Sequence, residues 1–211
     1  MRPTGSTPKR KPKCLIFGAS HAKKFYEASL ENQLFSNSYE ILGSFKSGAK
    51  STQLILPEIV KTFDEQDLII VLAFGNDIFE KHILITKNPF TIHLTQFIPV
   101  SPIDLKEACT KFEKQLTGLK CKIKIIDNIY RHLNCCEKHI HMGIAKYQKD
   151  SNTLIRDHFG KKSINHLYLL EDPKHTRKAS VYANLLVDSV HFKREFYAMM
   201  SANLIRGDYT F

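Results

Sequence analysis

Two short apolar runs constrain this chain more than any other feature, because each runs straight into a glycine turn. Cys14–Phe17 leads into Gly18, and Leu68–Phe74 leads into Gly75. The second is the longest apolar run in the chain and is far short of the roughly 20 residues that cross a bilayer, which excludes integral insertion by a helix. A strand that is apolar at consecutive positions, rather than at alternate ones, is covered on both faces, as in a parallel sheet between two layers of helix. The intervening segments fit this. Phe25, Leu30 and Leu34 space out one face of a helix over 21–34. Further helices are predicted over 51–63 (with a kink at Pro57), 103–116, 143–159 and 192–205. Further strands are predicted at Tyr39–Leu42, Cys121–Asp127 and Ser163–Leu169, and a polar stretch follows Gly75. Strands alternating with helices in this way predict an α/β fold, a three-layer α/β/α sandwich on a mostly parallel five-stranded sheet.

With 211 residues, 43% of them hydrophobic and 25% charged, the chain is sized and composed for one globular domain. The formal charge is +10. Half of it sits in the first 13 residues, where Arg2, Lys9, Arg10, Lys11 and Lys13 occur without an acid. Residues 1–12 are too polar to bury a core and read as a disordered basic leader to a domain over 13–211. A basic balance favours polyanionic partners, so nucleic acid is an expected partner of the leader and of the basic surface. Five cysteines, an odd number, and no visible secretory signal point to a reducing, intracellular setting, cytoplasmic or nuclear.

In a parallel sheet, ligand sites form in the loops at the carboxyl ends of the strands. After the first strand comes Gly18-Ala19-Ser20-His21. A serine at a tight turn that opens a helix is placed as a nucleophile, or else it caps that helix. After the second strand come Gly43 and, in Ser47-Gly48-Ala49-Lys50, Gly48, either of which lets a backbone N–H approach a ligand. After the third comes Gly75-Asn76-Asp77, whose Asn76 amide suits a developing oxyanion or a turn. Before the last helix stands Asp188-Ser189-Val190-His191. One helical turn of spacing lets the carboxylate orient the imidazole as a general base.

Taken together and in this order, the four stretches resemble the motif blocks of the SGNH hydrolase superfamily, also called GDSL-type esterases and lipases. The resemblance spans about residues 13–205. It implies a flavodoxin-like SGNH fold, a Ser-His-Asp triad of Ser20, His191 and Asp188, and an oxyanion hole from the Ser20 and Gly48 N–H groups and the Asn76 side chain. It implies hydrolysis of an ester substrate without a metal or organic cofactor. In two blocks the sequence departs from the family pattern: Ala19 stands where the customary Gly-Asp-Ser has Asp, and the usual spacer between Gly75 and Asn76 is absent.

Cations crowd the same loops. Lys23, Lys24, Lys46, Lys50 and Arg131 are candidate substrate or phosphate contacts, with Lys174, Arg177, Lys178, Lys193 and Arg194 nearby in sequence. They suggest an anionic or nucleic-acid-associated substrate. They also sustain a rival: similar domains, some carried by retroelements, bind RNA with weak or no hydrolysis. A third feature, Arg131–His141, holds Cys135, Cys136, His132, His139 and His141, but its spacing fits no standard zinc site, and no metal is expected there. The oligomeric state is not legible.

Overall fold

The computed structural model describes residues 10–84, 94–130, 138–170, 185–187 and 190–207. Five strands form one sheet: β1 (Lys13–Gly18), β2 (Glu40–Phe45), β3 (Leu68–Leu72), β6 (Lys122–Ile126) and β7 (Ser163–Ile164). Their spatial order is β2-β1-β3-β6-β7 and every pairing is parallel. The chain therefore starts in the middle, steps to one side, and crosses β1 to build the other side. This reversal falls between β1 and β3, the kind of switch point at whose carboxyl edge doubly wound sheets bind ligands.

The helical layers follow from the strand faces. Cys14 and Ile16 of β1 point into one core with Phe25 of α1 (Ser20–Glu31), Phe35 of α2 (Gln33–Ser38) and Tyr197 and Met200 of α5 (Arg194–Arg206). Leu15 and Phe17 point into the other, with Phe112 of α3 (Pro102–Leu116) and Ile155 and Phe159 of α4 (Lys138–Phe159). All five residues of β3 are buried, which accounts for its unbroken apolar sequence. Among the described residues, no helix is long and apolar enough to cross a membrane.

The structure corrects the sequence reading in several places. The segment 51–63 is not a helix but two 3₁₀ turns, Ser51–Gln53 and Glu58–Thr62, joined by extended residues. Pro57 lacks an N–H and holds the residue before it extended. Gln115 of α3 meets the backbone groups left over: its Nε2 donates to Leu54 O at 2.9 Å and its Oε1 accepts from Leu56 N at 3.1 Å. The last strand stops at Ile164, because Asn165 accepts from Leu167 N and starts a 3₁₀ turn over His166–Leu169. After Gly75 the chain forms an antiparallel pair outside the main sheet, β4 (Phe79–Leu84) and β5 (Leu94–Pro99).

Residues 10–12, inside the expected leader, are tied to the domain. Arg10 pairs with Asp67 at 2.7 Å and with Asp64, and Pro12 O accepts from Glu40 N at 2.8 Å. Residues 1–9 lie outside the described residues.

Candidate active site

The site is built where β1 meets α1. Gly18 ends the strand at φ +149°, and a Cβ there would fall 2.2 Å from Leu72 O, so no other residue fits. Ala19 N–H then donates to that same Leu72 O at 3.1 Å, which pins the turn to β3. α1 begins at Ser20. The N-cap is Ala19, and no side chain caps the helix. This removes the capping explanation for Ser20: its hydroxyl lies instead 2.9 Å from His191 Nε2, across 171 residues of sequence. Both residues are part-exposed. The Ser20 N–H is the first amide of α1, a position that has no acceptor within the helix.

His191 is carried by a closed loop. Val187 N–H donates to His191 O at 2.8 Å, Lys193 N–H donates to Leu185 O at 2.8 Å, and Leu186 and Phe192 form an antiparallel bridge. Phe192 is fully buried and anchors the imidazole beside it. Asp188 belongs to this loop by sequence but lies outside the described residues, as do Arg131, Lys174, Arg177 and Lys178.

The loops after β2 and β3 are fastened to this turn and to each other. Lys46 N–H donates to Gly18 O at 3.0 Å and Ala49 N–H to Lys46 O at 3.2 Å. Gly48 turns the chain at φ +76° with open space where a Cβ would be, so the left-handed backbone, not crowding, calls for glycine. Asn76 Nδ2 donates to Ala49 O at 3.0 Å, which orients its amide against the Gly48 turn. Gly43, the other glycine after β2, is still within the strand.

Sequence reasoning missed the strut behind these loops. Asp77 is buried and accepts from Ser51 N at 2.9 Å and from Ser51 Oγ at 2.9 Å. Burial pushes its carboxyl up to about 6, against the lowering effect of the Ser51 hydrogen bonds and of Lys50. An acid directly after Asn76 was the available signal; a Ser partner 26 residues away was not legible. It also missed His21, discussed below.

The cations divide. Lys23 and Lys46 are exposed, and Lys24 and Lys50 half-buried, on the loops and helix turn around Ser20. Arg194 is not part of this rim: it pairs with Glu31 at the far end of α1. The Cys135 and Cys136 thiols lie outside the described residues. His139 and His141 fall on the first turn of α4.

No protein-family model and no curated protein sequence matches the chain. Solved structures do. An acetyl xylan esterase, AlAXEase, superposes with a TM-score of 0.56 at 15% identity, covering 92% of this chain and 98% of that one. A GDSL-like lipase from Parabacteroides merdae gives 0.53 at 13%, covering 96% and 98%. An aryl esterase from M. smegmatis gives 0.51 at 11%, covering 93% and 97%. The resemblance carried by the motif blocks thus extends over the whole architecture, and the chain has the α/β/α fold of the SGNH, or GDSL-type, hydrolases.

Proposed function

We propose that this protein is a serine esterase. Ser20 Oγ attacks the ester carbonyl carbon while His191 Nε2 takes its proton. The oxyanion that forms is met by the N–H groups of Ser20 and Gly48 and by an N–H of Asn76 Nδ2. Collapse of the tetrahedral intermediate breaks the bond to the alcohol, which leaves with the proton from His191. Water then attacks the acyl-Ser20 ester through the same base, releasing the acid and restoring the serine. Asp188, three residues before His191, orients the imidazole. The observation that carries this reading is the 2.9 Å contact between His191 Nε2 and Ser20 Oγ at the end of β1, with Ala19 rather than Ser20 in the capping position. Ester hydrolysis is also the activity common to the names of the three structural neighbours.

The substrate we favour is an anionic ester, since Lys23 and Lys24 follow Ser20 on α1, Lys46 and Lys50 lie in the loop after β2 that is bonded to the Gly18 turn, and Arg131 follows β6 in sequence. The test is hydrolysis of short and long p-nitrophenyl esters by wild type and by Ser20→Ala across pH 6–9. Turnover that disappears in the variant supports the reading; equal rates overturn it.

The net charge of +10 favours a second reading, contact with RNA through the basic surface and the leader. It requires an affinity for single-stranded RNA that falls steeply with salt. Binding of that kind in a protein without ester turnover would make nucleic-acid recognition the primary role.

A further inference from the structure

The residue that follows Ser20 is a second imidazole, and the triad leaves it unused. His21 is buried, and its Nδ1 lies 2.7 Å from Tyr197 Oη. Its ring centroid is 5.0 Å from that of His191, with the planes at 46°. Tyr197, on the first turns of α5, is 1% exposed and packs edge-on against Phe192 at 5.8 Å. Two covalent neighbours are involved: His21 adjoins Ser20, and Phe192 adjoins His191. One phenol therefore touches the residue next to the nucleophile and the residue next to the base.

We propose that His21 and Tyr197 form a positioning pair that holds the Ser20 turn and the His191 loop at reacting distance. This rests on the serine esterase reading. The need for such a device follows from the topology. Ser20 and His191 are joined by neither a common element nor a strand pairing, since Ser20 is the first residue of α1 and a loop ahead of α5 carries His191. Their separation is set by how α5 packs on α1. Away from the site, α5 is tied to the other end of α1 by the Glu31–Arg194 pair and by Asn32 Nδ2, which donates to Ser201 Oγ at 3.1 Å; beside the reacting pair, the His21–Tyr197 hydrogen bond fixes distance and direction. A phenol can donate to Nδ1 or accept from Nδ1–H, and either arrangement fixes the rotation of the His21 ring. The ring in turn forms a wall beside His191. On the opposite edge, a Cβ at Gly75 would lie 3.6 Å from His21 Cδ2, so the same imidazole abuts the turn that carries Asn76. Neither His21 nor Tyr197 touches the reacting atoms in this scheme. Both act through Ser20 and His191.

Four variants test the pair with p-nitrophenyl acetate, each first shown by thermal melting to be folded at the assay temperature. Tyr197→Phe keeps the ring and removes only the hydroxyl. It is expected to lower kcat about 3- to 10-fold, the kinetic equivalent of one neutral hydrogen bond, with KM within twofold of wild type. His21→Leu is expected to do the same. His21→Asn places an amide atom where Nδ1 stood and is expected to restore kcat to within about twofold. The double variant Tyr197→Phe/His21→Leu is expected to be no slower than either single one, because both remove the same bond. A loss of packing alone would not be rescued by Asn and would not spare KM. Wild-type kcat in Tyr197→Phe, or an Asn variant as slow as Leu, overturns the pair while leaving the esterase reading intact. Wild type without turnover, or undiminished turnover in Ser20→Ala, overturns the esterase reading and the pair with it.

Discussion

Replacing Asn76 with alanine separates chemistry from architecture at this site. The substitution removes the side-chain amide and with it one of the three proposed oxyanion donors. Loss of one such donor costs roughly 10²–10³ in kcat, or about 2.7–4 kcal/mol of transition-state stabilisation. The structure sets a separate stability cost. Asn76 Nδ2 donates to Ala49 O, and Ala49 is 3% exposed, so its buried carbonyl loses a partner. An orphaned buried acceptor costs about 1–3 kcal/mol. In a chain of this length each kcal/mol lowers Tm by about 2–4 °C. Steady-state hydrolysis of p-nitrophenyl acetate and a thermal melt, run on one preparation, read the two effects independently. The expected result is a kcat lower by two to three powers of ten beside a Tm lower by several degrees, with KM little changed. A kcat within threefold of wild type, with the same Tm loss, would show that Asn76 only fastens the Gly48 turn and would refute its role as a donor.

Two further outcomes follow from the charges around the site. Asp77 is raised to about 6 from an unfolded value of 3.8, so between these pH values the native state holds a proton that the unfolded state has released. Stability from this group is therefore greatest below about pH 4, declines as pH rises to 6, and is lower above that by about 3 kcal/mol. Urea melts of wild type and Asp77→Asn between pH 4 and pH 7 should differ in slope over that window; parallel curves would contradict the burial argument. Converting Lys23, Lys24, Lys46 and Lys50 together to Gln should raise KM for an ester with a carboxylate in its alcohol by roughly 10-fold at low salt, and much less for a neutral ester. Equal effects on both esters would remove the case for an anionic substrate.

The parts of the fold that were legible are those where one physical cause dominates. β3 is apolar at every position because it lies between two helical layers, and a run such as Leu68–Leu72 has no other explanation in a chain of this composition. The meeting of Ser20 with His191 was legible because Ser20 follows a central strand of a parallel sheet and His191 stands just ahead of the last helix. What escaped depends on partners distant in sequence. Gln115 satisfies the backbone at Leu54 and Leu56, so the 51–63 segment needs no helix, and nothing in that segment announces Gln115. Arg194 looks like part of the basic rim until Glu31 takes it. Tyr197 reads as one more apolar position of α5, since its hydroxyl acquires meaning only opposite His21. The β4–β5 pair stands apart from the main sheet and carries no continuous apolar signature.

A nucleophilic Ser20 driven by His191 is the basis of every catalytic role proposed above. Brief exposure to a fluorophosphonate, followed by mass spectrometry of the peptides, reads this without reference to any natural substrate. The expected result is one adduct, on Ser20, formed by wild type and lost in His191→Ala. An unlabelled Ser20, or labelling at the same rate without His191, would contradict it.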